Sequence, residues 1–99
     1  MIKFRTYHLA RIYVKECQKV KVAAFLRNQL DRAASSIALN LSEGNGRRTP
    51  ADRKRFFQIA YGSLKETQAI LDLSDASPEI LEMADVLGAH IYRLIQNAR

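Results

Sequence analysis

Residues 32–47 read RAASSIALNLSEGNGR, a run of small and apolar residues that ends in glycine and arginine. Counted at about 100° per residue, this run continues the apolar face of one helix over residues 23–43. Gly44 follows that face directly, and we expect it to adopt the left-handed conformation that commonly ends a helix. Residues 44–48 would then form a short turn. The apolar face consists of Leu26, Leu30, Ala33, Ala34, Ile37 and Leu41.

A polar stripe runs beside this apolar face, within an arc of about 80° at the helical period. Two explanations stay open. It is a solvated boundary strip of the kind that amphipathic helices need, or it is a half-buried hydrogen-bonding strip that fixes helix register or a subunit interface. The small residues 33–36 would allow the close approach that the second explanation requires. The stripe consists of Gln29, Arg32, Ser36, Asn40 and Glu43.

Two further helices have clear starting signals. Residues 49–52 read TPAD, which combines an N-cap hydroxyl, a proline at the first helical position and an acid in the first turn. Residues 77–79 read SPE and repeat the device. We therefore expect helices over residues 50–73 and 78–97, and the periodicity of the N-terminal part predicts another over about residues 3–20.

The faces of these three helices follow the same period. The first helix places Leu9, Ala10, Tyr13, Val14, Cys17 and Val20 opposite His8, Arg11, Lys15 and Lys19. The next has a broad face of Phe56, Phe57, Ile59, Ala60, Ser63, Leu64, Thr67, Ile70 and Leu71. The last has Ile80, Ala84, Leu87, Ile91, Leu94 and Ile95. Each helix therefore has one side to bury.

Four amphipathic helices with short connections predict one fold. No segment shows the strict alternation or the density of β-branched residues that is typical of strands. The chain has 99 residues, which is the length of a single domain, and short loops make consecutive helices antiparallel neighbours. The sequence predicts an all-α, antiparallel up-down-up-down four-helix bundle that occupies residues 1–99 as one domain.

Composition restricts the class of protein. Apolar residues make up 47% and charged residues 26%, which is ordinary globular usage. The longest apolar runs are far shorter than the roughly 18 residues that span a bilayer, the N-terminus lacks the apolar stretch of a signal peptide, and the lone Cys17 permits no internal disulfide. We therefore expect a cytoplasmic protein without a membrane partner, in which Cys17 is a buried core thiol.

The net charge of +6 is unevenly distributed. Residues 1–55 carry 13 Lys and Arg against four acids, whereas residues 56–99 carry three against six. Such asymmetry indicates a polyanion as partner of the basic surface, or charge complementarity between copies of the protein.

The basic residues predict a surface that binds RNA or DNA. Five of them surround the start of the helix at residues 50–73, where free backbone N–H groups and the positive helix end would favour phosphate. A stripe on the first helix adds a linear basic face. The alternative is a surface that only keeps the protein in solution, and no zinc or aromatic RNA-recognition motif decides between the two. The predicted contacts are Arg47, Arg48, Arg53, Lys54 and Arg55, with Arg11, Lys15 and Lys19 on the first helix.

A second hypothesis is a self-assembling interaction module whose partner is a protein, with no direct nucleic-acid role. Leu39 and Ile12 would be exposed apolar residues beside charged stripes, and Tyr61 lies at the edge of its face.

An enzyme is the third class, and the sequence argues against it. Helical bundles with di-iron centres use Glu-x-x-His pairs, whereas His8 and His90 are the only histidines and neither follows a Glu by three residues. We expect no catalytic residue, metal, cofactor or small-molecule substrate.

Two stretches also resemble a known family. Residues 32–47 are similar to the pattern R-A-A-x-S-I-x-x-N-[IL]-x-E-G-x-G-R of the four-helix proteins encoded in intervening sequences of bacterial 23S ribosomal RNA genes. Residues 56–66 are similar to the second pattern of that family, F-x-x-x-A-x-G-S-L-x-E. The resemblance covers the chain from Phe4 onward. It departs at Ala38, where proline is common, and at Tyr7, near where a tryptophan often begins the first helix.

The resemblance implies properties that periodicity does not show. Members are four-helix bundles, and some assemble as ring-shaped pentamers. A related branch serves as accessory protein to the reverse transcriptases of diversity-generating retroelements, where it binds nucleic acid through a basic surface. For this chain the resemblance implies a homo-oligomer, with a pentamer favoured, whose partner is structured RNA or DNA, or a reverse transcriptase.

Overall fold

The fold is a bundle of four helices, seen in a computed structural model that describes residues 4–98. The helices are α1 (Arg5–Lys19), α2 (Ala24–Asn45), α3 (Pro50–Leu73) and α4 (Pro78–Asn97), and no strand occurs in the part of the chain that the structure describes. α1 packs against α2 and α4, and α3 packs against the same two helices, with the most extensive contact between α2 and α3. Consecutive helices are antiparallel, so the predicted all-α up-down-up-down bundle is confirmed.

The helix ends follow the capping signals. α3 and α4 begin and end at the expected residues, and the hydroxyl of Thr49 accepts a hydrogen bond from the backbone N–H of Asp52 at 3.1 Å, as an N-cap residue does. Ser77 makes no such side-chain bond, and α4 begins instead on a proline with an acid in its first turn. α1 is shorter than expected at both ends, and residue 3 of the expected span lies outside the described residues.

Gly44 does not end α2, so that prediction is wrong. The helix continues to Asn45 and is capped by Gly46, whose φ of −88° is right-handed, and no glycine between residues 4 and 98 has a positive φ. A Cβ on Gly44 would lie 2.8 Å from Cε1 of Phe57 and 3.0 Å from Cβ of Phe56. The glycine therefore serves the close packing of α2 on α3 and not a change of chain direction.

One hydrophobic core fills the space between the four helices. Its buried members come from the faces that the periodicity predicted. Ile59 was expected there as well, but it is 43% exposed, because it lies beyond Phe56 and Ser63, which are themselves only half-buried at the edge of α3. The core consists of Ala10, Tyr13, Cys17, Leu30, Ala34, Ile37, Leu41, Phe57, Ala60, Leu64, Ile70, Leu71, Ile80, Ala84, Leu87 and Ile91.

A buried hydrogen bond crosses this core between diagonally opposed helices. The phenol oxygen of Tyr13 on α1 lies 2.8 Å from Oγ1 of Thr67 on α3, and both residues are fully buried. The Thr67 hydroxyl donates its proton to the carbonyl of Leu64 at 2.6 Å, so Tyr13 is the donor in the bond between the two side chains. Burial raises the pKa of Tyr13 well above its ordinary value, which keeps the phenol protonated.

Arg27, near the start of α2, holds the connection from α1. Its guanidinium donates to the carbonyls of Val20 at 2.8 Å and Cys17 at 2.9 Å, and it pairs with the carboxylate of Asp31 at 2.6 Å. The last carbonyls of a helix have no partner within that helix, and basic side chains commonly satisfy them. The sequence analysis did not identify Arg27. Its side chain caps the C-terminal end of α1 and links that end to α2.

Replacing Arg27 by methionine is expected to lower the free energy of unfolding by about 1–2 kcal/mol, because the carbonyls and the carboxylate lose their charged donor at a half-exposed site. Chemical denaturation followed by circular dichroism measures the loss. Arg32→Met is the matched control, since Arg32 lies on the same helix and makes no hydrogen bond or ion pair within residues 4–98. It should change stability by less than about 0.5 kcal/mol, and equal effects of the two substitutions would contradict the role of Arg27.

Candidate nucleic-acid interface

The connection from α2 to α3 is a tightly held turn at one end of the bundle. The backbone N–H of Gly46 donates to carbonyls in the last turn of α2. Arg53 reaches back from the start of α3, and its guanidinium donates to the carbonyls of Arg47 at 3.1 Å and Arg48 at 2.8 Å. One of the predicted nucleic-acid contacts, Arg53, is therefore committed to holding the turn.

An aromatic ring organises two further arginines. The guanidinium carbons of Arg47 and Arg55 lie 4.7 and 4.5 Å from the ring centroid of Phe56, which is within the range of a cation–π interaction. Arg47 also pairs with Glu43 at 2.7 Å, and Arg55 lies 3.9 Å from a carboxylate oxygen of Asp52. Both guanidiniums are thus held in place although both residues are exposed.

Phe56 is a member of this cluster that sequence reasoning missed. The periodicity assigned it only to the apolar face of α3, whereas the structure leaves it half-buried under the two guanidiniums. The signal that could have identified it is an aromatic residue directly after Arg55, because guanidinium planes stack on aromatic rings. The Phe56 ring therefore holds the guanidiniums of Arg47 and Arg55 beside one another.

Arg48 and Lys54 are the cations that the turn leaves available. Both are exposed, and neither side chain makes a hydrogen bond or an ion pair with any residue that the structure describes. The five predicted contacts therefore differ. Arg47 and Arg55 are ordered on Phe56, and Arg53 bonds backbone carbonyls of the turn. Arg48 and Lys54 have no side-chain partner in the described chain. The surface named here the basic end consists of Arg47, Arg48, Lys54, Arg55 and Phe56.

Few backbone N–H groups at the N-terminus of α3 are free to bind an anion, and the predicted phosphate site there stays a prediction. The hydroxyl of Thr49 already accepts the N–H of Asp52, and the N–H of Arg53 donates to the carbonyl of Thr49 at 3.0 Å. The carboxylate of Asp52 stands in the first turn, where it compensates the positive helix end. A phosphate at this end of the bundle would therefore be attracted mainly by the side chains of the basic end.

The basic stripe of α1 lies on a different surface. Arg11, Lys15 and Lys19 are exposed on the outer side of the helix, and of the three only Lys19 forms an ion pair within the described chain, with Glu16 at 3.0 Å. α1 packs against α2 and α4, so the stripe runs along the side of the bundle, whereas the basic end lies at the α2–α3 turn. The structure does not join the two predicted sets into one surface.

The polar stripe of α2 lies along the edge of the contact with α3. Oγ of Ser36 lies 2.9 Å from Oγ of Ser63, and Nε2 of Gln29 donates to Glu66 at 3.3 Å. Asn40 donates to the carbonyl of Ser36 on its own helix at 2.8 Å. Gln29, Ser36 and Asn40 therefore have partners within one copy. Arg32 makes no hydrogen bond or ion pair within residues 4–98, and a role of the stripe in subunit contacts stays a prediction.

Cys17 is a free thiol in the core of the bundle. Residues 4–98 contain no group of three or more side chains that could hold a metal ion, and none of the described helices is long and apolar enough to cross a membrane. Cys17 is buried, as predicted, and burial raises the pKa of its thiol to about 11. The thiol is therefore protonated at neutral pH and shielded from reagents.

Comparison with known proteins agrees with the two sequence patterns. The family model described as 23S rRNA-intervening sequence protein matches residues 5–83 of the chain. A search of curated proteins with this chain finds no match. The matched residues include α1, α2, α3 and the beginning of α4, so they contain both the α2–α3 turn and the helices that position it.

Proposed function

The chain belongs to the 23S rRNA-intervening sequence protein family, and we propose that it is a non-enzymatic, oligomeric protein of the cytoplasm that binds RNA or DNA through its basic end. The observation that carries the proposal is the arrangement of that end. Arg48 and Lys54 are exposed without partners in the described chain, beside two guanidiniums ordered on Phe56. A cytoplasmic location suits the single reduced thiol of Cys17.

Phosphate is the ligand that suits this arrangement. Arg and Lys contacts to phosphate supply most of the sequence-independent affinity for nucleic acids, and a planar guanidinium binds two phosphate oxygens at once. A guanidinium already ordered on a ring loses less freedom on binding than a mobile one. The opposite end of the bundle is of mixed charge, with Asp75 and Glu79 beside Lys19 and Lys21, so a polyanion would meet an excess of positive charge only at the α2–α3 turn.

Charge reversal at Arg48 and Lys54 is expected to weaken nucleic-acid binding by at least about tenfold, because two phosphate contacts are lost. The logarithm of the association constant should also fall less steeply with the logarithm of the salt concentration, by about two in the slope. Neither side chain has a partner in the described chain, so R48E/K54E should unfold as the natural protein does. Filter binding with structured RNA and with duplex DNA over a range of salt concentrations measures both quantities.

Lys21 and Lys65 provide the matched control for charge. K21E/K65E makes the same change in net charge, but Lys21 lies in the α1–α2 connection and Lys65 lies beside Tyr61 on α3. Its affinity should stay within about threefold of the natural value, since screening removes most of the long-range effect. No binding by the natural chain at low salt, or equal losses in the two variants, would overturn the proposal.

The oligomeric part of the proposal is supported by exposed apolar side chains. Leu39 is 68% exposed and Ile12 is 51% exposed. Ile12 stands beside further apolar side chains of α1 and α4, and clustered apolar surface commonly marks a site of association. The family resemblance favours a pentamer. Light scattering of the purified protein reports on this part independently of nucleic-acid binding.

A further inference from the structure

α1 and α4 leave an apolar groove between them on the surface of the bundle. Ile12 on α1 is 51% exposed and Val86 on α4 is 48% exposed. The groove has a volume of about 440 Å³, and its apolar lining consists of Leu9, Ile12, Met83, Val86 and Leu87. One copy of the chain therefore leaves apolar side chains in contact with water along this side of the bundle.

The length of the groove suits a helix. Its lining on α4 extends from Glu79 to Leu87, which is roughly 12 Å at about 1.5 Å per residue, or slightly more than two helical turns. A further helix packs into the channel between two neighbouring helices when it presents apolar side chains three or four residues apart. The expected occupant is therefore an amphipathic helix that buries a short apolar stripe.

Charge specifies the partner further. The chain has a net charge of +6, yet both charged residues between 4 and 98 that line the groove, Glu79 and Glu82, are acids. Both are exposed, and neither forms an ion pair within that part of the chain. Two carboxylates beside an apolar surface favour a partner that carries Lys or Arg beside its own apolar stripe.

The position of the acids also orients the partner. Glu79 and Glu82 lie about one turn apart on α4, whereas the outer side of α1 carries Lys15 and Lys19. The partner's Lys and Arg therefore belong on the flank that faces α4, because on the other flank they would approach the cations of α1. A helix with one basic flank and one uncharged flank suits both edges.

We propose that the groove between α1 and α4 binds a basic amphipathic helix of another protein. Apolar side chains at positions i, i+4 and i+7 of that helix lie over Ile12 and Val86, and Lys or Arg on one flank pairs with Glu79 and Glu82. The proposal goes beyond the proposed function, since it involves neither nucleic acid nor the basic end.

Other occupants fit the groove less well. Glu79 and Glu82 would repel the phosphates of a nucleic acid. The same groove of a second copy has no Lys or Arg among its described lining residues that could pair with them. A second copy also has a more exposed apolar surface to cover, on the outer side of α2, where Phe25 is 82% and Leu39 is 68% exposed.

A synthetic helix tests the proposal. The probe, named here the striped peptide, is a labelled, alanine-based peptide of about 18 residues, which is long enough to form a helix, with leucine at i, i+4 and i+7 and lysine along one flank. Fluorescence anisotropy should show that it binds the natural chain with a Kd below about 100 μM. E79K/E82K and I12N/V86N should each raise that Kd at least about tenfold, because the first removes the charge pairs and the second the apolar contact.

The four substituted positions are exposed, and thermal unfolding checks that both variants are folded. If E79K/E82K unfolds, Glu82→Gln replaces it and should raise the Kd about threefold. E66K/D72K is the matched control, because it makes the charge change of E79K/E82K on exposed residues of α3, and its Kd should stay within about twofold of the natural value. A peptide of the same composition with its leucines spread around the helix is the control probe and should not bind.

Losses confined to the groove variants and to the striped peptide support the proposal. No binding of the striped peptide to the folded natural chain overturns it, as do equal losses in E79K/E82K and E66K/D72K or equal binding of the control probe. A changed mass of I12N/V86N in light scattering assigns the groove to a second copy and also overturns it. R48E/K54E should bind the striped peptide as the natural chain does, so a failure of the groove and a failure of the basic end are distinguishable.

Discussion

Replacing Gly44 by alanine is expected to lower the free energy of unfolding by about 2–3 kcal/mol, although alanine is the better helix former by about 1 kcal/mol. The added Cβ would stand 2.8 Å from Cε1 of the buried Phe57 and 3.0 Å from Cβ of Phe56. A Cβ moves only with its backbone, so α2 and α3 must separate along the most extensive contact in the bundle. Urea unfolding measures the loss.

Gly62→Ala is the matched control, because it is the same substitution on the helix that faces α2. A Cβ on Gly62 would meet no atom within 4 Å, so alanine there should raise the free energy of unfolding by about 0.5–1 kcal/mol. The two substitutions should therefore have opposite signs. A stabilised Gly44→Ala protein would show that the helices have spare room, and the packing role of Gly44 would then be wrong.

Thr67→Val is expected to cost about 1–3 kcal/mol, since it leaves the buried phenol of Tyr13 without the oxygen to which it donates. Tyr13→Phe should cost less, about 0.5–1.5 kcal/mol, because Thr67 keeps its own bond to the carbonyl of Leu64. The difference follows from the direction of the bond between the two side chains. Thermal unfolding of both single variants measures it.

The double variant Y13F/T67V separates this hydrogen bond from simple changes in packing. It removes both polar groups and leaves neither one buried without a partner, so its cost should be clearly smaller than the sum of the single costs. Additive costs, or a larger loss for Tyr13→Phe than for Thr67→Val, would show that the donor is assigned incorrectly.

Local signals predicted the helices well, and they failed where another helix decides the environment. The TPAD stretch marked the start of α3 because an N-cap hydroxyl, a proline and an acid act within one turn. Gly44 directly follows an apolar helical face, which is the usual sequence signal for the end of a helix. α2 nevertheless continues through it. The glycine is needed because Phe57 of α3 lies against it, and that neighbour is set by the crossing of two helices.

Composition predicted where the candidate site lies, and the side-chain contacts in the structure showed which of its residues already have partners. An excess of Lys and Arg around residues 47–55 is visible in the sequence, but only the structure distinguishes Arg53, which bonds backbone carbonyls, from Arg48 and Lys54, which have no partner in the described chain. The spacing of the charges did not show Phe56 beneath two guanidiniums. Side-chain partners depend on how the turn folds back on α3.

The small, apolar run at residues 32–47 and its continuation determined by themselves where α2 lies and which side it buries, because helical periodicity and capping act between near neighbours in the chain. The tertiary structure decided which groups meet across helices. It brought Tyr13 to Thr67, 54 residues apart, and it placed the cations of α1 on another surface from those of the α2–α3 turn. Such contacts depend on the distances and angles at which helices pack, and no local spacing of residues specifies them.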